Sequence, residues 1–218
     1  KGFLYEKEGA LWFKSTDFDD DKDRVVEKSD GTYTYLTPDI VYHKDKYERG
    51  FDWVVNIWGP DHHGYIPRIN AAVEALGQDR EALTVLIVQL ATIYRDGLEL
   101  SMSTRKGQFI SLREVLDEVG SDAARFFFLM RHIKAHLDFD LALAKKETPE
   151  NPVYYVQYAH ARVFSIHKKA EEVALSAARE DFTRLIEEEE LDLIKKINVF
   201  SSTLKACFDQ MDPYPLVN

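Results

Sequence analysis

The chain alternates between apolar runs of strand length and stretches whose apolar residues recur three and four apart, and this pattern lays out its elements. Ala10–Thr16 reads as a strand. Arg24–Lys28 and Thr32–Leu36 alternate at period two around Ser29-Asp30-Gly31, the pattern of a hairpin. Thr37-Pro38-Asp39 has the makings of a helix start: a hydroxyl to cap, a proline for the first helical position and a carboxylate at the positive end of the dipole. That helix runs through Ile40, Val41, His43, Lys44 and Tyr47 to Gly50. Phe51–Trp58 is near-continuous in apolar residues, as expected of a strand buried in a parallel sheet, and Gly59-Pro60 stops it. Ile66, Ile69, Ala72, Val73 and Leu76 follow at helical spacing up to Gly77, and Leu83–Leu90 is the next apolar strand. Strand, helix and strand in this order predict a right-handed βαβ unit.

The second half reads differently. Asp96-Gly97 is a two-residue hairpin turn between segments carrying Ile93, Leu98 and Leu100. Ser111-Leu-Arg-Glu114 is a capping box, and the helix it opens ends near Gly120. The next helix starts at Ser121. Its three successive phenylalanines, Phe126 to Phe128, cover most of its circumference, which favours burial on several sides over an exposed RNA-stacking platform. Pro149 and Pro152 bracket a break. A long helix from Asn151 to about Leu175 and a second one after Glu187-Glu-Glu-Glu190, with Leu191, Ile194, Ile197, Phe200, Leu204 and Cys207 along one side, imply a bundle. The expected division is 1–110 for the α/β part, 111–150 for helical connectors and 151–218 for the bundle.

Composition narrows the class. The 218 residues are 45% hydrophobic, with 13 Phe and 11 Tyr, enough for a packed core in one or two domains. One cysteine, Cys207, forbids an internal disulfide and suits a buried thiol in a reducing cytoplasm. No apolar run is long enough to span a membrane, and Lys1–Glu6 has no signal-peptide core. The formal charge of −10 means that any RNA contact must rest on a local basic patch.

Several clusters carry candidate chemistry, each with a plainer alternative. In open α/β sheets ligands sit beyond the carboxyl ends of the strands, where Gly59-Pro60-Asp61-His62-His63-Gly64 falls. Asp61 can accept from ribose hydroxyls, or merely cap the following helix. The adjacent histidines diverge and lack partners at zinc spacing, so no metal is expected there. Asp17–Asp23 fails the EF-hand pattern and reads as a solvated turn. Asp39, four residues after Tyr35, either complements the helix dipole or joins that phenol in gripping a planar guanidinium. Ser101–Gly107 is small, polar and basic: a solvated loop, or one that lays hydroxyls, N–H groups and two cations on a polyphosphate. Tyr154, Tyr155, Tyr158, His160 and Arg162 either face RNA or are the polar tips of helix packing.

These letters also carry a resemblance. Met102-Ser103-x-x-x-Gly107 after a hairpin resembles the KMSKS-type loop of class I aminoacyl-tRNA synthetases, and Thr104-Arg105-Lys106 resembles the version in arginyl-tRNA synthetases. Ser101 and Thr104 stand where the common pattern has lysines, so Arg105 or Lys106 would supply the charge. Tyr35-x-x-x-Asp39-Ile40-x-Tyr42-His43, Asp61-His-His-Gly-Tyr-Ile-Pro-Arg68 and Asn151-Pro-Val-Tyr-Tyr-Val-Gln-Tyr-Ala-His-Ala-Arg162 are each similar to segments of the same family. Leu137–Leu143 resembles the segment leaving its catalytic domain.

The resemblance implies the second half of a Rossmann-like parallel-sheet catalytic domain followed by an α-helical anticodon-binding bundle. It implies ATP-dependent activation of arginine and transfer to tRNA in the cytoplasm by a monomeric enzyme, with ATP as substrate and Mg²⁺ alongside. Tyr35 and Asp39 would hold arginine. Gly59, Asp61, His62 and Met102 would hold ATP, and Met102, Ser103, Thr104, Arg105 and Lys106 would act on its phosphates. Tyr155, Tyr158 and Arg162 would meet RNA. A non-catalytic RNA-binding or interaction module derived from the same fold is the alternative. The HIGH-type motif that such enzymes carry earlier in the chain is absent. The isolated chain is therefore expected to show no arginine-dependent ATP–pyrophosphate exchange, and exchange at the rate of a complete enzyme would refute this.

Overall fold

The computed structural model describes residues 2–100, 110–173 and 182–217. It divides into two compact units, Lys1–Gln89 and Leu90–Asn218.

The first unit begins with an antiparallel sheet of β1 (Leu4–Lys7), β2 (Ala10–Phe13) and β3 (Arg24–Glu27). The strand expected to run to Thr16 ends at Phe13, where Ser15–Phe18 becomes a 3₁₀ turn. The acidic loop is not wholly solvated. Asp20 is buried and takes two bonds from Arg24, Nε at 2.7 Å and Nη2 at 2.8 Å, while Asp21 also contacts Arg24. Burial pushes the Asp20 carboxyl up, but the hydrogen bonds from Arg24, Ser15 and Asp21 together outweigh it and hold the group well below the usual carboxylate range.

The hairpin expected after β3 shrinks to one bridge, Glu27 to Tyr33. A bulge opposite Leu11 and Trp12 explains this: Val26 is the extra residue. Its carbonyl takes the Thr34 N–H at 3.0 Å and the Thr37 hydroxyl at 2.6 Å. Thr37 is thus spent outside the helix. α1 (Leu36–Glu48) starts two residues earlier than expected, with Tyr35 at the cap position and no side-chain capping bond.

The βαβ unit is present. β4 (Val54–Trp58) and β5 (Leu83–Ile87) pair in parallel, with α2 (Ile66–Leu76) between them and Gly77 in the left-handed region at φ 97°. β4 is not buried on both faces. Val54 and Asn56 turn inward, whereas Val55 and Ile57 are exposed, because this sheet has only two described strands and the core lies on one side of it. That core gathers Phe13, Val26, Leu36, Val54, Ile69 and Val73.

The second unit is built on β6 (Ala91–Arg95). The short β7 (Leu98–Glu99) pairs with it across Asp96-Gly97, both residues at positive φ, as a tight primed turn requires. α3 (Leu112–Val119) opens with the expected capping box: Ser111 N–H donates to Glu114 Oε2 at 2.6 Å, and Glu114 N–H to Ser111 Oγ at 3.2 Å. α4 (Ser121–Leu129) buries Phe127, half-buries Phe126 and leaves Phe128 more exposed, so the aromatic run is less enclosed than its composition suggests.

Instead of continuing as helical connector, the chain forms β8 (Leu137–Asp140), parallel to β6. Leu137 and Phe139 point into the core, where Phe139 stacks on Phe127 at 5.1 Å. After the single turn α5 (Leu141–Ala144), Asn151 caps α6 (Pro152–Glu172), accepting from Val153 N–H at 3.1 Å. α7 (Glu188–Gln210) and α8 (Tyr214–Val217) complete the described chain. α6 and α7 are the long helices expected, but Val156, Ile166, Ile197 and Phe200 are exposed, so their apolar stripes form no buried bundle core among the described residues. Cys207 is half-buried rather than buried.

α7 ends at Met211 in the left-handed region, and Asp212 then reaches back 80 residues. Its Oδ2 accepts from the His132 ring at 2.9 Å and from Ile133 N–H at 3.2 Å, and its Oδ1 from Tyr214 N–H at 3.0 Å. Burial pushes the Asp212 carboxyl up, but these donors prevail and lower it below its ordinary value. Such a group binds its proton less readily folded than unfolded, so its stabilisation is complete above the unfolded value, about pH 4, and fades as pH falls through the folded one. Urea midpoints of Asp212→Asn should therefore fall below wild type at pH 7 and converge with it towards pH 3; a constant gap across that range would contradict this.

Candidate functional site

The carboxyl end of β4 and the first turn of α1 meet within the first unit, and buried polar contacts hold them. His43, one turn after Asp39, is buried on α1. Its Nδ1 lies 2.8 Å from the Asp39 carbonyl, and its Nε2 lies 2.9 Å from the Asn56 side-chain nitrogen. The amide nitrogen can only donate, so Nε2 accepts and Nδ1 carries the proton. Asn56 in turn accepts from Lys46 Nζ at 3.4 Å. This chain of bonds locks α1 against β4. It thereby sets where Asp39 points.

Asp39 is half-buried, and its Oδ2 accepts the Tyr65 hydroxyl at 2.7 Å. No described residue donates to its Oδ1. Tyr65 ends the 3₁₀ turn Pro60–Tyr65 that follows β4. Burial first, and the Asp39 carboxylate second, push its phenol well above the ordinary tyrosine range. Trp58 packs against both Tyr65, ring centroids 5.8 Å apart, and His62, at 6.2 Å.

The 3₁₀ turn carries Asp61 and His62, both exposed, with His62 Nε2 3.8 Å from Asp61 Oδ2. Gly59 is its cap residue and no side-chain capping bond forms, so Asp61 is not a cap. A Cβ on Gly59 would stand 2.9 Å from Asp61 Oδ1, so glycine lets the carboxylate fold back over the backbone. The turn thus presents an exposed carboxylate and an imidazole beside an aromatic wall, groups able to hydrogen-bond sugar hydroxyls.

Tyr35 is 89% exposed at the cap of α1. It lines an open groove of about 1100 Å³ with Lys28, Thr32, Tyr33, Pro38 and Val41, and Asp39 is not among the lining residues. The structure therefore joins Asp39 to the 59–65 turn through Tyr65 and sets Tyr35 on a neighbouring surface. Met102, Ser103, Thr104, Arg105 and Lys106 lie outside the described residues. In the second unit, Tyr155, Tyr158 and Arg162 are exposed on α6, and three- and four-residue spacing puts them on one face. Tyr158 stacks with Tyr154 at 6.5 Å. No three His, Cys, Asp or Glu side chains converge as a metal set among the described residues, and no described helix is long and apolar enough to cross a membrane.

Sequence reasoning did not single out Tyr65, although it lies inside the run Asp61–Arg68. Nothing local ties it to a carboxylate 26 residues earlier. The His43–Asn56 pair was also missed; an asparagine at an inward position of an apolar strand was its signal.

A parallel β-α-β crossover with its Gly-x-Asp-His turn at the strand end marks a Rossmann-like α/β fold, here followed by long helices. Residues 1–135 match the family model described as tRNA synthetases class I (R), catalytic domain, and residues 156–218 match the DALR anticodon binding domain. The chain belongs to this arginine branch of the class I tRNA synthetases. It is 52% identical over 216 residues to an arginine–tRNA ligase of Geobacter sp. (strain M21), covering 98% of this chain and 39% of that protein. The arginine–tRNA ligase of Bacillus subtilis (strain 168) is 51% identical over 219 residues, with 100% and 39% covered. The chain thus spans about two-fifths of the length of these relatives. A solved structure from Campylobacter jejuni, provisionally assigned as an arginyl tRNA synthetase, superposes with TM-score 0.84 at 38% identity, covering 99% of this chain and 47% of that one. Thermus thermophilus arginyl-tRNA synthetase shares the fold, with TM-score 0.78 at 18% identity over 99% of this chain and 45% of its own.

Replacing Asn56 with Ala leaves the His43 ring nitrogen buried without its donor. This should lower unfolding stability by about 1–3 kcal/mol in urea titrations, and a variant within about 0.5 kcal/mol of wild type would show that the pair does not lock α1.

Proposed function

We propose that this chain supplies the arginine-binding and nucleotide-binding surfaces of an arginine–tRNA ligase. The observation that carries the reading is the bond between Tyr65 and Asp39, which brings a carboxylate with one unengaged oxygen to the Gly59–Tyr65 turn. A carboxylate so placed accepts a guanidinium by charge-assisted bonds, while Asp61 and His62 take the sugar of ATP. Tyr35 closes over the bound side chain from the adjacent surface. The arginine carboxylate attacks the α-phosphate, pyrophosphate leaves, and the terminal hydroxyl of tRNA then displaces AMP.

Met102 to Lys106 act on the phosphates by electrostatic stabilisation, without covalent or acid–base chemistry. Arg105 and Lys106 are the cations of that stretch. No three His, Cys, Asp or Glu side chains converge as a cage for Mg²⁺ among the described residues, and the ion would enter with the ATP phosphates. Tyr155, Tyr158 and Arg162 offer stacking rings and a cation to RNA. In functional terms, 1–110 and 111–150 serve the catalytic half and 151–218 the anticodon-binding half, in a monomeric cytoplasmic enzyme.

Calorimetric titration with L-arginine tests the reading. Wild type should bind and Asp39→Ala should lose about a hundredfold in affinity, since a desolvated guanidinium would be left unpaired. Equal binding by both would remove Asp39 from the site.

A further inference from the structure

Tyr65 sits between three fixed neighbours. Its hydroxyl donates to Asp39 Oδ2 at 2.7 Å. The Arg68 guanidinium lies over its ring at 4.8 Å from the centroid, and Trp58 meets it edge-on at 5.8 Å. Arg68 Nε is buried and makes no hydrogen bond, so the aromatic face is a main support of that guanidinium in turn. The ring is thus clamped on two sides, and the phenol reaches Asp39 from a direction it cannot easily change.

The consequence concerns geometry rather than charge. The terminal torsion of an aspartate is broad, so an isolated carboxylate turns about its Cβ–Cγ bond at little cost. A planar guanidinium needs two coplanar acceptors, whereas an ammonium is a point charge indifferent to that plane. Anchoring Oδ2 fixes the plane and leaves as acceptors Oδ1, to which no described residue donates, together with the second lone pair of Oδ2.

We propose that Tyr65 is a positioning residue that sets the carboxylate plane of Asp39 and thereby selects a guanidinium over an ammonium ligand. This rests on the reading of Asp39 as the arginine carboxylate. No contact between Tyr65 and the ligand is required.

The experiment measures dissociation constants of the chain for L-arginine and for L-lysine by NMR titration, in wild type, Tyr65→Phe and Asp39→Asn. Phenylalanine keeps the ring and its contacts with Arg68 and Trp58. Tyr65→Phe should weaken arginine about tenfold and change lysine by less than about twofold, so that discrimination collapses. A parallel loss of both ligands would mark a merely structural role and overturn the proposal, as would unchanged arginine binding. Asp39→Asn should weaken arginine binding by up to about a hundredfold, since the charge on the acceptor is lost. If it binds arginine like wild type, the underlying site reading fails, whatever Tyr65 does. A second measurement needs no ligand: the ultraviolet phenolate titration assigned to Tyr65, by difference from Tyr65→Phe, should move to lower pH in Asp39→Asn. An unmoved titration would mean that the hydroxyl does not serve Asp39 and would overturn the proposal.

Discussion

The hydrogen bond between Asn56 and His43 is the constraint from which the site in the first unit follows. Both partners are buried, so each must find its complement or remain unsatisfied at a cost. The bond leaves one arrangement: Asn56 donates, the ring accepts at Nε2, and Nδ1–H closes onto the Asp39 carbonyl. An apolar pair at this contact could slide by a fraction of a turn with little loss. A polar pair cannot, because a shifted helix breaks both bonds at once. The orientation of Asp39 towards Tyr65 is inherited from that requirement.

The second unit solves a similar problem with charge. Glu118 on α3 accepts from Arg95 at the end of β6, 2.5 Å, and from Lys145 after α5, 2.7 Å. These two donors hold its carboxyl below the ordinary range, Lys145 contributing more than Arg95. The exposure of the cations keeps each contact individually weak. The geometry nevertheless pins the base of the Asp96-Gly97 hairpin to the helices behind it.

What the sequence made legible was what local chemistry decides. The Asp96-Gly97 turn, the Ser111–Glu114 box, the termination of α2 at Gly77 and the parallel pair β4–β5 each follow from residues within a few positions of one another. The failures occurred where a distant partner intervened. Thr37 has every local qualification for a cap, yet the bulge at Val26 takes its hydroxyl. β8 carries a clear alternation at Leu137, Phe139 and the aspartates between, but four residues in a helical neighbourhood say little until β6 supplies an edge to pair with. Phe51–Trp58 reads as doubly buried because apolar runs do not reveal how many layers surround them. At the site, Asp39, Asp61 and His62 were visible as residue types in motifs, whereas Tyr65 became visible only when the fold closed a gap of 26 residues.

The reach of Asp212 across 80 residues to His132 bears on the order in which the second unit comes together. A ribosome delivers the chain from its amino end, so β6, α4 and β8 emerge while this anchor is still untranslated. The loop around His132 and Ile133 must wait, its donors hydrated, until the 80 residues that separate His132 from Asp212 have been made. Closing so long a span carries an entropic cost that grows only logarithmically with length, so the delay is set by synthesis more than by diffusion. The joint between α4 and the end of α7 therefore matures after the more local pairing of β6 with β8.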